Sequence, residues 1–144
     1  MKIIQIVGKS NSGKTTFIKS LIPELKKMGS VAVIKHLGHH IYNIEEGKDT
    51  SVFFEAGADI SVGIDDQKSV ATIRKNTLDE ALRMLLDQRM DFVIIEGFKQ
   101  RSFPKIAIGD LKTDNCILTN PLVKDVVTSL DRFENFIIKN KGNI

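Results

Sequence analysis

Apolar residues recur along this chain with two spacings, one typical of buried strands and the other of amphipathic helices. Short runs rich in β-branched residues predict strands at residues 2–7, 31–35, 92–95, 106–108 and 116–118. Apolar positions at helical spacing predict helices at residues 14–28, 50–55, 78–86 and 130–139. Pro23 lies inside the first helix, where the missing backbone N–H predicts a kink or an early end. Strands that alternate with helices predict an α/β layered domain.

Two further strands are predicted around a polar turn. Segments Asp59–Ile64 and Ser69–Ile73 flank the turn Asp65-Asp66-Gln67, which is typical of an antiparallel hairpin. We expect this hairpin to be an extension of the layered domain. Between residues 36 and 50 there is too little apolar periodicity for a packed element, so a long loop is expected, and such loops are usually functional or mobile.

The first strand leads directly into Gly8-Lys9-Ser10-Asn11-Ser12-Gly13-Lys14-Thr15, which fits the pattern G-x-x-x-x-G-K-[ST]. This is the phosphate-binding loop (P-loop) of nucleoside triphosphatases, which lies between a strand and a helix. The glycines allow a tight turn in which successive backbone N–H groups face an anion. Lys14 would reach the β- and γ-phosphates, and Thr15 would offer its hydroxyl to Mg²⁺. The loop and the alternation together predict a three-layer P-loop NTPase fold with a mostly parallel central sheet.

An acidic residue at the end of a neighbouring buried strand would complete this site. Phe92–Ile95 is the most apolar stretch and predicts a central parallel strand, which Glu96 and Gly97 follow. Ligands of open parallel sheets gather at the carboxyl ends of the strands. Glu96 is therefore expected to hold Mg²⁺ directly or through water, and Gly97 to allow close approach of a γ-phosphate. Asp91 lies at the opposite end of this strand and is too far away to take part.

Cationic residues and histidines lie near these predicted strand ends, and the residues alone leave their role open. Lys99, Arg101 and Lys105 would clamp phosphate charge, bind an anionic partner ligand, or lie solvated at the surface. The three histidines of the chain are His36, His39 and His40. They would contact an anionic substrate or nucleotide, ligate Zn²⁺ or Ni²⁺, or be solvated. Contact with an anion is favoured over metal binding, because no cysteine is near.

Composition narrows the class of protein. The 144 residues carry a net charge of +3, with 27% charged and 42% hydrophobic residues, which is typical of a single soluble domain over residues 1–144. No apolar run is long enough to span a membrane and no signal-peptide pattern is visible, so a cytoplasmic location without a membrane partner is expected. Residues 1–40 hold seven lysines against Glu24 alone. Because aromatic residues are not interleaved with them, a nucleotide is favoured over nucleic acid.

Four segments, taken in order, give the chain a specific resemblance. They are the loop at residues 8–16, Ile34-Lys35-His36-Leu37-Gly38-His39-His40, the stretch from Gly47-Lys48-Asp49-Thr50 to Ala56-Gly57-Ala58, and Glu96-Gly97-Phe98-Lys99. In order and spacing, residues 1–139 resemble the molybdopterin-guanine dinucleotide biosynthesis adaptor protein B family. The resemblance implies a homodimeric GTP-binding protein with at most a slow Mg²⁺-dependent GTPase activity. Such a protein would act beside the guanylyltransferase that attaches GMP to molybdopterin.

The resemblance also implies roles for single residues. GTP and Mg²⁺ would be bound by Gly8, Ser10, Asn11, Ser12, Gly13, Lys14 and Thr15, and Thr16 would reach the α-phosphate. Asp49 would be a second Mg²⁺ or switch residue, and Glu96 would be the strand-end acid. The catalytic residues would thus be Lys14, Asp49 and Glu96, and the metal ligands Thr15, Asp49 and Glu96. The segment with His36, His39 and His40 would face molybdopterin or the partner enzyme, and Gly97 and Lys99 complete the binding residues.

Two departures from the family pattern keep other functions in view. Relatives often carry basic residues where this chain has Phe54 and Glu55. An N-K-x-D segment that would read guanine is missing, so Thr119-Asn120-Pro121 is the candidate base contact.

A small-molecule kinase would use the same loop but would need a cationic lid, for which residues 99–105 are short. A nucleotide-gated metal-delivery protein would instead hold Ni²⁺ or Zn²⁺ on the histidines.

Overall fold

The structure is a computed structural model that describes residues 1–38, 40–41, 49–74 and 77–138. The chain divides into two compact units, Met1–His36 with Leu82–Ile144 and Leu37–Ala81, and each is described by itself. That residues 1–144 form a single domain stays a prediction. The elements in chain order are β1 (Lys2–Gly8), α1 (Lys14–Lys26), β2 (Val31–Lys35), α2 (Asp49–Glu55), β3 (Ile60–Ile64), β4 (Ser69–Ile73), α3 (Leu78–Asp87), β5 (Phe92–Glu96), β6 (Lys105–Ile108), β7 (Cys116–Thr119) and α4 (Val123–Val127).

A parallel five-stranded sheet organises the larger unit. Its strand order is β2-β5-β1-β6-β7, so β1 is the middle strand and β5 and β6 are its neighbours. All four ladders run parallel. Every residue of β5 and β6 is buried, which fits their near-continuous apolar composition. The predicted α/β fold of the P-loop NTPase type is confirmed.

The core of this unit lies where α1 and α4 meet one face of the sheet. Its buried members come from alternate strand residues, from one face of each helix and from the segment after α4: Ile4, Ile6, Phe92, Ile94, Ile106, Ile108, Ile18, Leu21, Leu25, Val126 and Phe133. Helix α1 continues past Pro23 to Lys26, so an early end at Pro23 is wrong, and a kink there stays a prediction. Pro23 is exposed, whereas Leu25 beyond it is fully buried, and this burial offsets the hydrogen bond that proline cannot donate.

The predicted last helix over residues 130–139 is wrong. Only Leu130–Arg132 forms a short 3-10 helix, and Lys139 lies outside the described residues. The chain beyond it extends along the start of β1, where the Ile3 N–H donates to the Glu134 carbonyl at 3.0 Å and the Phe136 N–H donates to the Met1 carbonyl at 2.8 Å. These backbone bonds replace those of a helix, and the apolar spacing of the segment instead places Phe133 in the core.

The smaller unit contains α2 and the predicted antiparallel hairpin of β3 and β4, which is confirmed. The Asp65 carboxylate closes its turn by accepting hydrogen bonds from the N–H groups of Gln67 and Lys68. The Ser61 hydroxyl donates to the Thr50 carbonyl at 2.8 Å, which ties β3 to α2. Much of the predicted loop between residues 36 and 50 lies outside the described residues. In the part of the chain that the structure describes, every helix is too short or too polar to cross a bilayer.

Candidate functional site

The phosphate-binding loop lies between the middle strand and the first helix of the larger unit. Strand β1 ends at Gly8 and α1 begins at Lys14, so five residues make the connection. Asn11 and Gly13 both adopt positive φ, 58° and 92°, which curls the loop tightly. Gly13 caps α1 without a side-chain hydrogen bond, and the first turn of α1 holds no acidic residue. The helix therefore presents its N–H groups and its positive dipole end to the loop.

Gly8 is required at the end of β1 by close packing. A Cβ atom at this position would lie 2.5 Å from the Ile108 carbonyl oxygen on β6 and 2.5 Å from the Ser12 Oγ. The Ser12 Oγ is buried and has no hydrogen-bond partner among the described residues. On its other side, the Ser12 Cβ would lie 3.1 Å from a Cβ placed on Gly109. Ser12 thus packs between two glycines, and a side chain on Gly8 would fill the space that the loop needs for its turn.

The ammonium group of Lys14 folds over the loop. Its Nζ donates to the carbonyl oxygens of Lys9 at 2.6 Å and Gly8 at 3.2 Å. An ammonium group has three donors, so these bonds leave it the capacity for an anion. The Lys9 carbonyl also accepts a hydrogen bond from the Ser12 N–H at 3.3 Å, so it helps to close the loop. This geometry suits the lysine to stabilise phosphate charge.

The strand-end acid lies on β5, directly beside β1. Glu96 is the register partner of Ile6 on β1 and of Lys35 on β2, so it lies two residues from the end of β1. It is only 9% exposed, and its Oε2 lies 3.8 Å from the Lys35 Nζ. Sequence reasoning missed Lys35 as the cation beside this acid, because the pairing follows from the register of two strands that are far apart in sequence. The sheet therefore brings the loop and Glu96 to the same end, as predicted.

The turn after Glu96 has an unusual backbone. Gly97 and Phe98 both have positive φ, 95° and 53°. The Gly97 N–H donates to the Ile6 carbonyl at 3.0 Å, and a Cβ on Gly97 would lie 2.9 Å from the His36 Cβ. The His36 ring stacks on the Phe98 ring with 4.3 Å between centroids. His36 thus packs against the turn that follows the acid.

A fully buried glutamine supports this turn, and sequence reasoning missed it. The Gln5 Nε2 donates to the carbonyls of Gly97 at 2.8 Å and Phe98 at 2.7 Å. The available signal was a polar amide in the middle of an otherwise apolar strand, since such a group must find partners when it is buried. Its partners, more than ninety residues further along the chain, could not be named from the sequence.

The remaining predicted residues are placed differently. Asp49 begins α2, and His40 is exposed; both belong to the smaller unit, and His39 lies outside the described residues. Asp91 is at the opposite end of β5, as expected, where it accepts bonds from the Ser30 N–H at 2.7 Å and the Ser30 hydroxyl at 2.9 Å. The hydrogen bond from the Ser30 N–H lowers the pKa of Asp91.

The three cations after Glu96 do not behave alike. Lys99 is exposed, and the Arg101 guanidinium lies 5.1 Å from the Phe103 ring centroid. Lys105 is fully buried, so the alternative of a solvated surface cation is wrong for this residue. Its Nζ lies 3.2 Å from the Asp114 carboxylate, and this hydrogen bond lowers the pKa of Asp114. Lys105 forms a structural ion pair, because it belongs to β6 and lies buried within the sheet.

A cavity of about 490 Å³ adjoins the loop and the first turns of α1. Its lining residues are Gly13, Thr16, Phe17, Ser20, Ile108, Asn120, Pro121, Leu122 and Val123. The Asn120 Oδ1 accepts a hydrogen bond from the Gly109 N–H at 2.6 Å, and its Nδ2 donates to the Gly109 carbonyl at 3.3 Å. Asn120 therefore ties the ends of β6 and β7 together at the cavity wall, and a base contact by this residue stays a prediction.

The donor set fits Mg²⁺ bound with a triphosphate. Magnesium is usually held by a hydroxyl, one or two carboxylates, water and phosphate oxygens, and the larger unit offers Thr15 and Glu96. Among the described residues, no three His, Cys, Asp or Glu side chains lie close enough together to hold a metal ion by themselves. The predicted histidine metal site includes His39 and is therefore only partly described.

Comparison with known proteins gives a consistent result. The family model described as molybdopterin guanine dinucleotide synthesis protein B matches residues 3–128. Three relatives are each named for molybdopterin-guanine dinucleotide biosynthesis. The Methanocaldococcus jannaschii protein is 38% identical over 112 residues, which are 75% of this chain and 47% of the relative. The Bacillus subtilis protein is 35% identical over 116 residues, which are 78% of this chain and 67% of the relative. The Haemophilus influenzae adapter protein is 36% identical over 110 residues, which are 74% of this chain and 62% of the relative.

Solved structures agree with the fold. The crystal structure of Bacillus subtilis MobB has a TM-score of 0.74 and 27% identity, and the match covers 94% of this chain and 100% of that one. A MobB homolog from Bacillus stearothermophilus has a TM-score of 0.64 at 21% identity, with 91% and 94% covered, and shows the fold alone. The chain spans about half to two thirds of the length of the curated relatives described above. The match over residues 3–128 nevertheless shows that the chain belongs to the molybdopterin guanine dinucleotide synthesis protein B family.

Proposed function

We propose that this protein binds GTP with Mg²⁺ and acts as a nucleotide-dependent adapter in the synthesis of molybdopterin guanine dinucleotide. The observation that supports this most is the juxtaposition of the Gly8–Thr15 loop with Glu96 at the ends of the adjacent strands β1 and β5. A P-loop and a strand-end acid are the two parts that P-loop NTPases use to hold a triphosphate and its metal. We assign the protein to the synthesis of molybdopterin guanine dinucleotide because the chain belongs to the family described by that pathway.

Each part of the larger unit has a role in this proposal. The loop N–H groups and Lys14 hold the phosphates, and Thr15 and Glu96 hold Mg²⁺, which neutralises phosphate charge when it is bound. Thr16 lines the cavity beside the loop, and we assign it to contact with the α-phosphate. The cavity wall of Phe17, Pro121 and Leu122 offers an apolar surface to a base. Asp49 keeps its predicted role as a second metal or switch residue. Any GTP hydrolysis is expected to be slow, as the family resemblance implies.

The nucleotide claim is tested by isothermal titration with GTP, GDP and ATP at millimolar Mg²⁺. GTP is expected to bind at least about tenfold more tightly than ATP, and chelation of Mg²⁺ should weaken GTP but change GDP less. An Asp91→Asn variant is the matched control, because this carboxylate lies at the other end of β5 and pairs with Ser30. A clear preference for ATP would contradict the guanine assignment, and no binding of any triphosphate would contradict the site itself.

The partner is proposed from the adapter name of the relatives. We assign the exposed side chains of His36 and Lys99, at the strand-end turn, to contact with molybdopterin or with a molybdopterin guanylyltransferase. Their cationic or polar heads suit the phosphate of such a pterin. Sedimentation of a mixture of the protein and the guanylyltransferase should show a complex that is more abundant with GTP than with GDP. A complex that forms equally with either nucleotide, or none at all, would contradict a nucleotide-dependent adapter.

A homodimer is part of the same proposal, and the smaller unit supports it. One face of β3 carries Ile60, Val62 and Ile64, which are 58%, 51% and 81% exposed. Contiguous exposed apolar side chains of this kind mark interaction surfaces. A Val62→Lys variant should sediment as a monomer if this face joins two copies, whereas a Lys68→Glu change at the hairpin turn should leave the dimer unchanged. A wild-type monomer at micromolar concentration would contradict the homodimer.

A further inference from the structure

The buried amide of Gln5 connects the two halves of the proposed nucleotide site. Gln5 lies on β1, three residues before Gly8, and its side chain is fully buried. Its Nε2 donates to the carbonyl oxygens of Gly97 and Phe98 at 2.8 and 2.7 Å. Only the NH₂ end of the amide can serve two carbonyls, which fixes its orientation. The strand that leads into the P-loop therefore also holds the turn that follows Glu96.

The turn held by Gln5 is one that the chain would not adopt readily by itself. Phe98 has φ 53°, a left-handed conformation that is unfavourable for a residue with a side chain. Gly97 has φ 95°, and a Cβ there would come within 2.9 Å of His36. The Gly97 N–H is fixed by the Ile6 carbonyl, while both following carbonyls are fixed by Gln5. Three hydrogen bonds to β1 thus determine the path of the chain immediately after the acid.

Within the part of the chain that the structure describes, only one end of the Gln5 amide has hydrogen-bond partners. Its Oε1 is buried and has no hydrogen-bond partner among the described residues. A buried acceptor without a partner is unfavourable, and such groups in native structures are concentrated where function requires them. An aliphatic residue would fill the same space in the sheet without that cost. The two bonds to the turn are the physical reason for an amide at this position.

We propose that Gln5 is a positioning residue of the nucleotide site, which fixes the Gly97–Phe98 turn and through it the Glu96 carboxylate relative to the P-loop. This rests on the proposed function, because it assigns the turn to the Mg²⁺ and γ-phosphate side of a bound triphosphate. In this role Gln5 itself contacts neither the metal nor the nucleotide. Its removal should therefore weaken binding of Mg²⁺·GTP much more than binding of GDP, which lacks the γ-phosphate.

The test compares Gln5→Met with Ile95→Val. Methionine keeps the length of glutamine and removes both donors, whereas Ile95 is the register partner of Gln5 on β5 and its truncation loosens packing on the same face without touching the turn. Titration with a non-hydrolysable GTP analogue and with GDP, both in Mg²⁺, measures the ratio of the two affinities. For Gln5→Met the analogue should lose about tenfold or more and GDP less than about threefold, as is usual when a support of a metal site is removed. Ile95→Val should change both by the same small factor.

Equal losses for the analogue and for GDP in Gln5→Met, or no loss, would overturn the positioning role. Amide hydrogen exchange in the nucleotide-free proteins gives a second, independent readout. In Gln5→Met, the amides of Gly97 and Arg101, which donate to the Ile6 and Phe98 carbonyls, should exchange at least about tenfold faster, while the amides of α1 stay protected. Unchanged exchange at the turn would overturn the proposal even if wild-type protein bound no GTP. Failure of wild-type protein to bind GTP would contradict the proposed function and leave the exchange result to decide the role of Gln5.

Discussion

Replacement of Gly8 by alanine tests whether the P-loop is shaped by close packing or only by backbone flexibility. The new Cβ would meet two atoms at 2.5 Å, the Ser12 Oγ and the Ile108 carbonyl oxygen. The serine can rotate, but the carbonyl belongs to β6, whose Ile108 is the register partner of Gly8. Relief of that contact requires the end of the β1–β6 ladder to shift. Overpacking of this kind costs typically 1–3 kcal/mol, and we expect about 3 kcal/mol here because one neighbour is backbone.

The expected change in melting temperature follows from the length of the chain. Unfolding entropy near 60 °C is about 2.1 cal/mol/K per residue, or about 0.3 kcal/mol/K for this chain. A loss of ~3 kcal/mol therefore lowers Tm by ~10 °C. Differential scanning calorimetry measures this shift directly. Triphosphate affinity should fall in the same variant, because the loop N–H groups move with the end of β1.

Two further variants separate the possible causes. A Cβ on Gly13 would have no atom within 4 Å, so Gly13→Ala carries only the strain of its φ of 92°, about 1–2 kcal/mol. Its Tm should fall by roughly half as much as that of Gly8→Ala. Adding Ser12→Ala to Gly8→Ala should recover part of the loss, since it removes one of the two contacts. The packing argument would be refuted if the Tm of Gly8→Ala lay within ~2 °C of the wild-type Tm. It would also be refuted if Gly13→Ala were less stable than Gly8→Ala.

Two other predictions concern stability outside the nucleotide site. Thr77 and Glu80 form a capping box at the start of α3, where each side chain accepts a hydrogen bond from the backbone N–H of the other residue. Thr77→Ala should cost about 1 kcal/mol in urea unfolding, and an unchanged midpoint would show that the cap contributes nothing. The pKa of Asp91 is lowered by the Ser30 N–H, so its contribution is complete at neutral pH and is lost as the pH falls below about 4. The stability difference between wild type and Asp91→Asn should therefore shrink from pH 7 to pH 3, and a difference that stays constant with pH would contradict this.

The sequence predicted the parts of the site that depend on local geometry. The spacing of Gly8, Gly13 and Lys14 describes a strand, a tight turn and a helix start, all within one short segment. The buried run before Glu96 located the acid at a strand end, and parallel strands bring their carboxyl ends together. The family resemblance supplied the rest of the predicted function, and the match over residues 3–128 confirms the family. The individual binding and metal roles stay predictions.

The features that sequence reasoning missed depend on contacts between distant segments. The sequence left the role of Lys105 open, and the path of β6 shows that it is buried and pairs with Asp114. The last predicted helix has the apolar spacing of one, yet backbone bonds to Met1 and Ile3 hold the segment extended. Tertiary pairing of this kind overrides local propensity. Gln5 could be noticed as a polar residue in an apolar strand, but its hold on the Gly97–Phe98 turn required the structure.

The affinity of Lys14→Ala for GTP in millimolar Mg²⁺ tests the central claim most directly. The Lys14 Nζ donates to the Gly8 and Lys9 carbonyls, and the claim is that it also stabilises phosphate charge. Hydrogen bonds to charged groups contribute about 1.5–3 kcal/mol each, so we expect a loss of about 100-fold or more. Lys9→Ala removes the same charge from the same loop and should lose less than about fivefold, because exposed charges interact weakly. A folded Lys14→Ala protein that binds GTP like wild type would contradict a triphosphate site at this loop.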